Sequence, residues 1–278
     1  MTIDEIIRLA LEEDIGPGDH TSLSAIPAHK TGTSQLLVKE EGILAGVGIA
    51  EKVFHALDPS LVFDAIIPDG EAVKPGDIAF YVSGGSRSIL TGERLALNFM
   101  QRMSGIATTT HRLVKLLAGT RARILDTRKT TPLLRELEKM AVRLGGGENH
   151  RMGLYDMIMI KDNHVDFAGG IREAIEAVNR YLKIEGLRLK IEIEVRNFEE
   201  LQDVISIGKV HRIMLDNFTP ENLAKAVHMI DGRFESEASG GITIDNIRQY
   251  AETGVDYISV GALTHHIQCL DMSLKAIN

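Results

Sequence analysis

What most constrains the fold of this chain is a change of texture after residue 120. Short apolar runs at 123–126, 157–161, 189–195, 211–216, 234–238 and 256–260 alternate with amphipathic stretches at 133–144, 171–183, 198–206, 220–230 and 245–253. Strand alternating with helix predicts parallel βαβ units, because parallel neighbours need a crossover long enough to hold a helix. The runs lead, in order, into Arg128-Lys129, Lys161, Glu194, Asp216, Ser239-Gly240-Gly241 and Gly261, all residues able to do chemistry. In a closed α/β barrel the carboxyl ends of the strands share one mouth, whereas an open doubly wound sheet gathers ligands only near its switch point. Six runs that all end in candidate residues favour a barrel of the TIM type with fewer strands than the usual eight.

The first part of the chain reads differently. Residues 1–16 predict a helix, with Ile3, Ile6, Ile7, Ala10 and Leu11 at helical spacing, ended by the turn-rich Asp14–Asp19. Gln35–Val38, Ile43–Val47 and Ile78–Val82 read as strands, residues 49–57 as a helix, and Asp69-Gly70 and Lys74-Pro75-Gly76-Asp77 as hairpin turns. Ser88–Ala118 is strongly helical, with a break expected near Ser104-Gly105. A boundary at Gly119-Thr120 would give an N-terminal α/β domain, 1–119, and a barrel domain, 120–278.

Composition removes several classes of function. At 44% hydrophobic residues, the chain can build a core and is not disordered. Its one cysteine, Cys269, excludes a disulfide framework and a cysteine zinc site. A net charge of −8, no Trp and few other aromatics argue against nucleic acid and anionic membrane as partners. Asp4, Glu5, Glu12 and Glu13 are unlike a signal peptide, and no apolar run is long enough to span a bilayer. The expectation is a soluble, cytoplasmic protein.

The charge is unevenly placed. Residues 121–161 hold nine Lys/Arg and five acids, a net +4 against −12 for the rest, which points to a small, multiply anionic ligand at the barrel mouth. Arg135, Lys139 and Arg143 alternate with Glu136 and Glu138 and are read as helix-surface salt bridges. Arg128, Lys129, His150, Arg151 and Lys161 lie instead at strand ends or in a Gly-rich loop. Thr127-Arg128-Lys129-Thr130-Thr131-Pro132 offers a bidentate guanidinium, a point charge and neutral hydroxyl donors to carboxylate or phosphate. Gly145-Gly146-Gly147-Glu148-Asn149-His150-Arg151 is either a flexible loop feeding donors into the mouth or a mobile linker; it lacks the lysine of a P-loop.

Glu192 and Glu194 stand two apart and so face the same side of a strand, and Asp216 repeats the pattern one strand later. Such carboxylates need partners. They are read as Mg²⁺ ligands, as acceptors for ribose hydroxyls, or as one end of a structural salt bridge to a barrel lysine. Ser239-Gly240-Gly241 and Gly261, ahead of helices, form either a barrel-type phosphate site or plain βα turns. No histidine spacing marks a tightly bound transition metal, and His164 is read as lining the mouth.

Taken together these motifs resemble the quinolinate phosphoribosyltransferase family, the nicotinate-nucleotide pyrophosphorylases. The resemblance is carried by Asp126–Pro132, Gly145–Arg151, Ile160-Lys161-Asp162-Asn163-His164, Glu93–Gly105, Met214-Leu215-Asp216-Asn217 and Glu237–Ile242. Leu133 departs from the family's usual Gly after the Pro. The resemblance implies an incomplete, about six-stranded barrel and an N-terminal α/β open sandwich that covers the mouth of a partner subunit's barrel. It implies conversion of quinolinate and phosphoribosyl pyrophosphate to nicotinate mononucleotide, pyrophosphate and CO₂, with Mg²⁺, no organic cofactor, and a homodimer. Carried over, Arg102 would reach the neighbouring site, and Arg128, His150, Arg151 and Lys161 would hold the quinolinate carboxylates. Thr127 belongs to the same substrate-binding set. Lys129 would lie between the two substrates, Glu194 and Asp216 would face ribose and Mg²⁺, and Ser239, Gly240, Gly241 and Gly261 would cradle the 5′-phosphate. Lys129, Lys161, Glu194 and Asp216 would carry the catalysis. A paralogous enzyme acting on another aromatic acid, a non-catalytic phosphosugar-binding relic, and a metal-dependent aldolase or isomerase on a generic barrel are the competing readings.

Overall fold

The structure is a computed structural model that describes residues 1–277. Its elements follow in the order α1 (Ile3–Ile15), α2 (His20–Ala25), β1 (Thr31–Val38), β2 (Gly42–Ile43), α3 (Val47–Leu57), β3 (Val62–Ala65), β4 (Ala72–Val73), β5 (Ile78–Gly85), α4 (Ser86–Leu116), β6 (Arg123–Leu125), α5 (Arg135–Leu144), β7 (Ile158–Ile160), α6 (Asp162–Ala168), α7 (Ile171–Glu185), β8 (Ile191–Val195), α8 (Phe198–Ile207), β9 (Arg212–Asp216), α9 (Pro220–Ile230), β10 (Glu235–Ser239), α10 (Ile247–Ala251), β11 (Tyr257–Ser259), α11 (Ala262–His265) and β12 (Met272–Ile277). They fall into two units: residues 1–111, 130–146 and 263 onward form one, and 112–129 with 147–262 the other. Among the described residues no helix is long and apolar enough to cross a membrane.

In the first unit, α1 starts at a capping box, with Thr2 Oγ1 accepting from the Glu5 N–H and the Glu5 carboxylate from the Thr2 N–H. Its Ile6, Ile7 and Leu11 are buried, as the helical spacing predicts. The main sheet has the antiparallel order β12-β1-β5-β3, and Leu36 of β1 faces Leu274 of the C-terminal strand. Phe54, Phe63 and Phe80 cluster beside it with ring centroids 4.4–6.1 Å apart.

Three expectations about this unit are corrected. The strand expected over Ile43–Val47 is only the two-residue β2, and Val47 already opens α3 behind the N-cap Gly46. Asp69-Gly70 and Lys74–Asp77 do not form hairpins between neighbouring strands, because β4 pairs with β2 while β5 lies in the main sheet. Asp69 instead accepts from the N–H groups of Val47 and Gly48, capping α3, whose own N-cap is the left-handed Gly46. The break at Ser104-Gly105 is absent, and α4 is one helix of 31 residues. The Ser104 hydroxyl accepts from the Ala45 N–H and donates to its carbonyl. A Cβ at Gly105 would stand 2.1 Å from the Gln268 carbonyl oxygen. Both residues are there for close packing rather than to end a helix. The short α2 and α6, the largely exposed β3, and the late strand β12 were not anticipated; too few of their residues carry an apolar pattern to stand out.

The second unit is a six-stranded, wholly parallel sheet in the order β6-β11-β10-β9-β8-β7. The first strand of this unit, β6, pairs with its last, β11, the pairing that barrel closure requires. β6 and β7 are the two sheet edges, leaving one open seam, so the barrel is incomplete. The sequence period of two sorts the strand residues by face. Ile124, Ile193, Ile213, Leu215, Ala238 and Ile258 are buried, and the alternate residues Met159, Lys161, Glu194, Met214, Asp216, Glu237, Ser239 and Ser259 line an interior cavity.

Gly105→Ala separates packing from propensity. Helix propensity alone favours Ala by about 1 kcal/mol, but the clash with Gln268 should reverse the sign, costing about 1–3 kcal/mol. Urea denaturation would read it, and an unchanged or raised midpoint would exclude the close approach.

Candidate active site

A cavity of about 240 Å³ opens where the six strands end. Its wall is built from strand ends and the loops beside them: Thr127, Arg128 and Lys129 after β6, His150 and Arg151 from the loop after α5, Lys161 after β7, Glu194 on β8, Asp216 on β9 and Ser239 on β10. Nine of the residues singled out in the sequence therefore share one cavity. The cations come from the β6 and β7 side, the acids from β8 and β9.

The local structure explains how these groups are presented. The Lys129 N–H donates to Thr127 Oγ1 at 3.1 Å, forming a tight turn just beyond β6. The loop carrying His150 and Arg151 is fastened to β6 at several points. The Glu148 N–H donates to the Ile124 carbonyl at 2.8 Å, and the buried Asp126 carboxylate accepts from Asn149 Nδ2 at 2.5 Å and from the His150 N–H at 2.8 Å. The triple glycine thus leads into an anchored loop. His164 does not line the cavity; its Nδ1 accepts from the Lys161 N–H at 2.9 Å, steadying the residue that does.

The remaining predicted residues lie elsewhere. Gly240 and Gly241 have left-handed backbones (φ 96° and 61°), and Asn217 Oδ1 occupies the place of a Cβ on Gly240, at 2.2 Å. The helix after them, α10, starts at Ile247 rather than near Asp245. Neither glycine, nor Gly261, contributes to the cavity wall. Arg102 belongs to the other unit, where its guanidinium pairs with the buried Glu138 carboxylate at 2.6 Å and donates to Thr131 Oγ1 at 2.5 Å.

The electrostatics divide the cavity. Burial, with the neighbouring Arg128 guanidinium, lowers the Arg151 pKa, while Glu192 and Asp156 pull the other way. Burial raises the Glu194 carboxyl, and the like charge of Asp216 raises it further, against Lys161 and Arg196. Burial also raises Asp216, against the Asn217 amide, Lys161 and Lys129. Two crowded carboxylates with raised pKa values would gain from a cation between them, and carboxylate oxygens are donors that Mg²⁺ accepts. The donor chemistry of Glu194 and Asp216 therefore fits Mg²⁺.

Met159, Met214, Glu237 and Ser259 also line the cavity and were not assigned roles from the sequence. The period of two along each strand, once in register, would have found them. Glu237 and His150 of this wall, with Glu192 behind it, bring ligand atoms within 4.8 Å of one another, all three residues buried. This trio is not arranged as a metal site. His150 Nδ1 accepts from the Arg151 N–H at 2.7 Å, so in the neutral ring Nε2 carries the proton, and Arg212 Nη1 already sits 2.9 Å from Glu237 Oε2. Burial raises both carboxyls, Glu192 to about 7 and Glu237 to about 8, and Glu192 adds to the rise at Glu237.

Comparison with known proteins bears on the whole chain. The family model described as "Quinolinate phosphoribosyl transferase, C-terminal domain" matches residues 106–275, and that for the N-terminal domain matches 19–104. A chloroplastic nicotinate-nucleotide pyrophosphorylase (carboxylating) of Arabidopsis thaliana is 46% identical over 97% of this chain and 81% of its own. A mitochondrial quinolinate phosphoribosyltransferase (decarboxylating) of Nicotiana tabacum is 44% identical over 98% and 82%. Among solved structures, NadC from Streptococcus pyogenes superposes with a TM-score of 0.94 at 38% identity, covering 99% of this chain and 97% of its own. The nicotinate-nucleotide pyrophosphorylase from Francisella tularensis gives 0.92 at 40%, covering 99% and 96%.

The raised Glu237 carboxyl sets a pH dependence. An unfolded glutamate ionises near its ordinary pKa of about 4.3, whereas the folded one holds its proton up to about 8. Its contribution to stability is full below the ordinary range and is lost as pH rises through the folded value. The stability of the wild type relative to Glu237→Gln should therefore fall between about pH 5 and about pH 8. Urea unfolding at both ends measures it; a relative gain with rising pH would mean that Glu237 is buried ionised.

Proposed function

This chain belongs to the quinolinate phosphoribosyltransferase family, and from that premise we propose that its barrel cavity joins quinolinate to phosphoribosyl pyrophosphate, releasing pyrophosphate and CO₂ and leaving nicotinate mononucleotide. The observation that carries this reading is the convergence of Arg128 and Lys129 after β6, Arg151 in the loop after α5 and Lys161 after β7 on one cavity that also holds Glu194 and Asp216. Four cations on one side suit a dianionic aromatic acid beside a multiply charged sugar phosphate. The thioethers of Met159 and Met214, on the same wall, offer soft surface to a flat pyridine ring.

In this reading Arg128, Arg151 and Lys161 hold the two quinolinate carboxylates, with His150 in the same wall. The partner subunit's Arg102 completes the grip in a homodimer; its guanidinium is already held in place by Glu138. Thr127 and Lys129 stand between quinolinate and the pyrophosphate of the donor. Ser239 and the main-chain N–H groups of Gly240, Gly241 and Gly261 take the 5′-phosphate. Held this way, the pyridine nitrogen and the anomeric carbon are placed in line, which removes much of the entropic barrier to their union. Lys129 and Lys161 meet the charge that develops on the departing pyrophosphate, and Glu194 and Asp216 face the cationic ribosyl centre. Glu194 and Asp216 would also hold Mg²⁺, which supplies charge neutralisation to the pyrophosphate when bound. Alkylation leaves the ring nitrogen positive. That charge stabilises the ring carbanion left when the adjacent carboxylate departs as CO₂, and the carbanion takes up a proton from solvent to give the product C–H, so no organic cofactor is needed. The exposed thiol of Cys269 is compatible with the reducing cytoplasm expected for the protein.

Incubation with quinolinate, phosphoribosyl pyrophosphate and Mg²⁺ should release CO₂ and mononucleotide in equal amounts, whereas nicotinate in place of quinolinate should give neither. Turnover of nicotinate alone would overturn the dicarboxylate assignment. Arg151→Ala should raise the KM for quinolinate at least about tenfold, and an unchanged KM and kcat would remove Arg151 from the grip. Chelation with EDTA should abolish turnover and Mg²⁺ should restore it; full activity in EDTA would rule out the metal.

A further inference from the structure

From Glu237 on the cavity wall an ionisable array, with Glu192 and Arg212, runs into the barrel interior, and none of the steps above uses it. Glu192 on β8 and Glu237 on β10 have no solvent exposure, and Arg212, on β9 between them, is 7% exposed. Arg212 Nη1 lies 2.9 Å from Glu237 Oε2 and 4.0 Å from Glu192 Oε2, and its Nε donates to Glu235 at 3.1 Å. The guanidinium rests on the ring of Tyr257, 4.0 Å from its centroid. Both Glu192 carboxyl oxygens and Glu237 Oε1 are buried without a hydrogen bond. Acids and a guanidinium buried in this way cost stability relative to an apolar floor of the same volume, so their presence calls for a role.

The geometry shows where the array leads. Of the two ring nitrogens of His150, Nε2 faces the array, 2.9 Å from Glu192 Oε2 and 3.5 Å from Glu237 Oε2. Nδ1 faces the other way and accepts the main-chain N–H of Arg151 at 2.7 Å. The Nδ1 lone pair is taken by that N–H, so in the neutral ring the proton lies on Nε2, on the side where the two acids stand 2.9 and 3.5 Å away, and their proximity favours the tautomer that the Arg151 main chain needs. The loop itself runs along the open seam of the barrel beside β6, with a β-bridge to it between Leu125 and Glu148. Asp126 fixes the loop from the β6 side, through the His150 N–H. Across the seam Arg151 Nη1 donates to the Met157 carbonyl, just before β7, at 3.4 Å, and the His150 ring reaches further, to β8 and β10.

We infer that Glu192 and Glu237, braced by Arg212, are positioning residues for the quinolinate grip: through the His150 ring they hold the main chain of Arg151, and so keep its guanidinium beside Arg128 in the cavity. This rests on the reading of the cavity as a quinolinate site. It predicts an effect on one substrate only, because the donor is held by other connections.

The test is a double-mutant cycle on the full-length enzyme, with KM measured separately for each substrate. Glu237→Gln should raise the quinolinate KM about tenfold while the KM for phosphoribosyl pyrophosphate stays within about twofold. In a His150→Gln background the same change should move the quinolinate KM by less than about twofold, since the path to Arg151 is already broken. An unchanged quinolinate KM, an equal rise for both substrates, or a full effect in the His150→Gln background would each overturn the inference. Should Glu237→Gln fail to fold by circular dichroism, Arg212→Lys, which keeps the charge but loses the planar fork, is read by the same criteria. Wild-type enzyme that turns over quinolinate while these variants leave its KM untouched sinks the positioning role alone. Wild-type enzyme without quinolinate turnover sinks the activity, and the inference with it.

Discussion

The contact between Arg212 and Glu237 is the one around which the barrel interior is arranged. A guanidinium and a carboxyl group out of reach of solvent are costly unless opposite charge and hydrogen bonds surround them. Glu235, Glu192, His150 and the Tyr257 ring surround this pair, while Glu237 Oε1 is left without a hydrogen bond. A barrel interior is more often packed with branched aliphatic side chains. Here such residues occupy the alternate strand positions, where Ile193, Ile213 and Ile258 are wholly buried, and the hydrophobic contribution comes from that face. The sheet therefore separates its tasks by parity: one face supplies the burial that holds the unit together, the other holds a column of charge that ends in the cavity.

The open seam gives that column its purpose. A sheet of six strands whose first and last members pair, but which leaves β6 and β7 apart, has one place where a loop can enter. The segment around Glu148–Arg151 enters there and is anchored on the β6 side by backbone bonds and Asp126. The missing strand is in effect replaced by side-chain contacts, and the cations of the cavity are delivered from both flanks of the gap. The acids arrive from the unbroken part of the sheet. A site divided in this way can hold an anionic acid at one wall and meet positive charge on a sugar at the other, which is the demand made by the proposed transfer.

Much of this was legible in the residues. All six strands of the second unit, and most of its helices, follow from the alternation of apolar runs, because burial on one face imposes its period directly on the chain. The convergence of Arg128, Lys129, Lys161, Glu194 and Asp216 follows too, since parallel strands must end at the same side. Ser104-Gly105 misled because a small residue in a helix looks like an interruption until its neighbour is seen; only the Gln268 carbonyl shows that Gly105 makes room. Asp69-Gly70 misled for a similar reason. Its turn chemistry is real, but the carboxylate serves a helix elsewhere in the same unit. Glu237 was in plain view two residues before Ser239 and drew no role, because nothing local says that its partners lie on β9 and in the loop after α5.

The sequence by itself determined the periodic quantities: which stretches are strand or helix, that the sheet is parallel, and that a cluster of cations and acids meets at one end of it. It could do so because each depends on spacings of a few residues. Only the tertiary structure decided the pairings between distant positions. Among these are Arg212 with Glu237, His150 with Glu192, Arg102 with Glu138, and the place of β12 at the edge of the first sheet. Such pairings depend on the register of strands and the path of loops, and a charged side chain carries no mark of which opposite charge, tens of residues away, will be set against it.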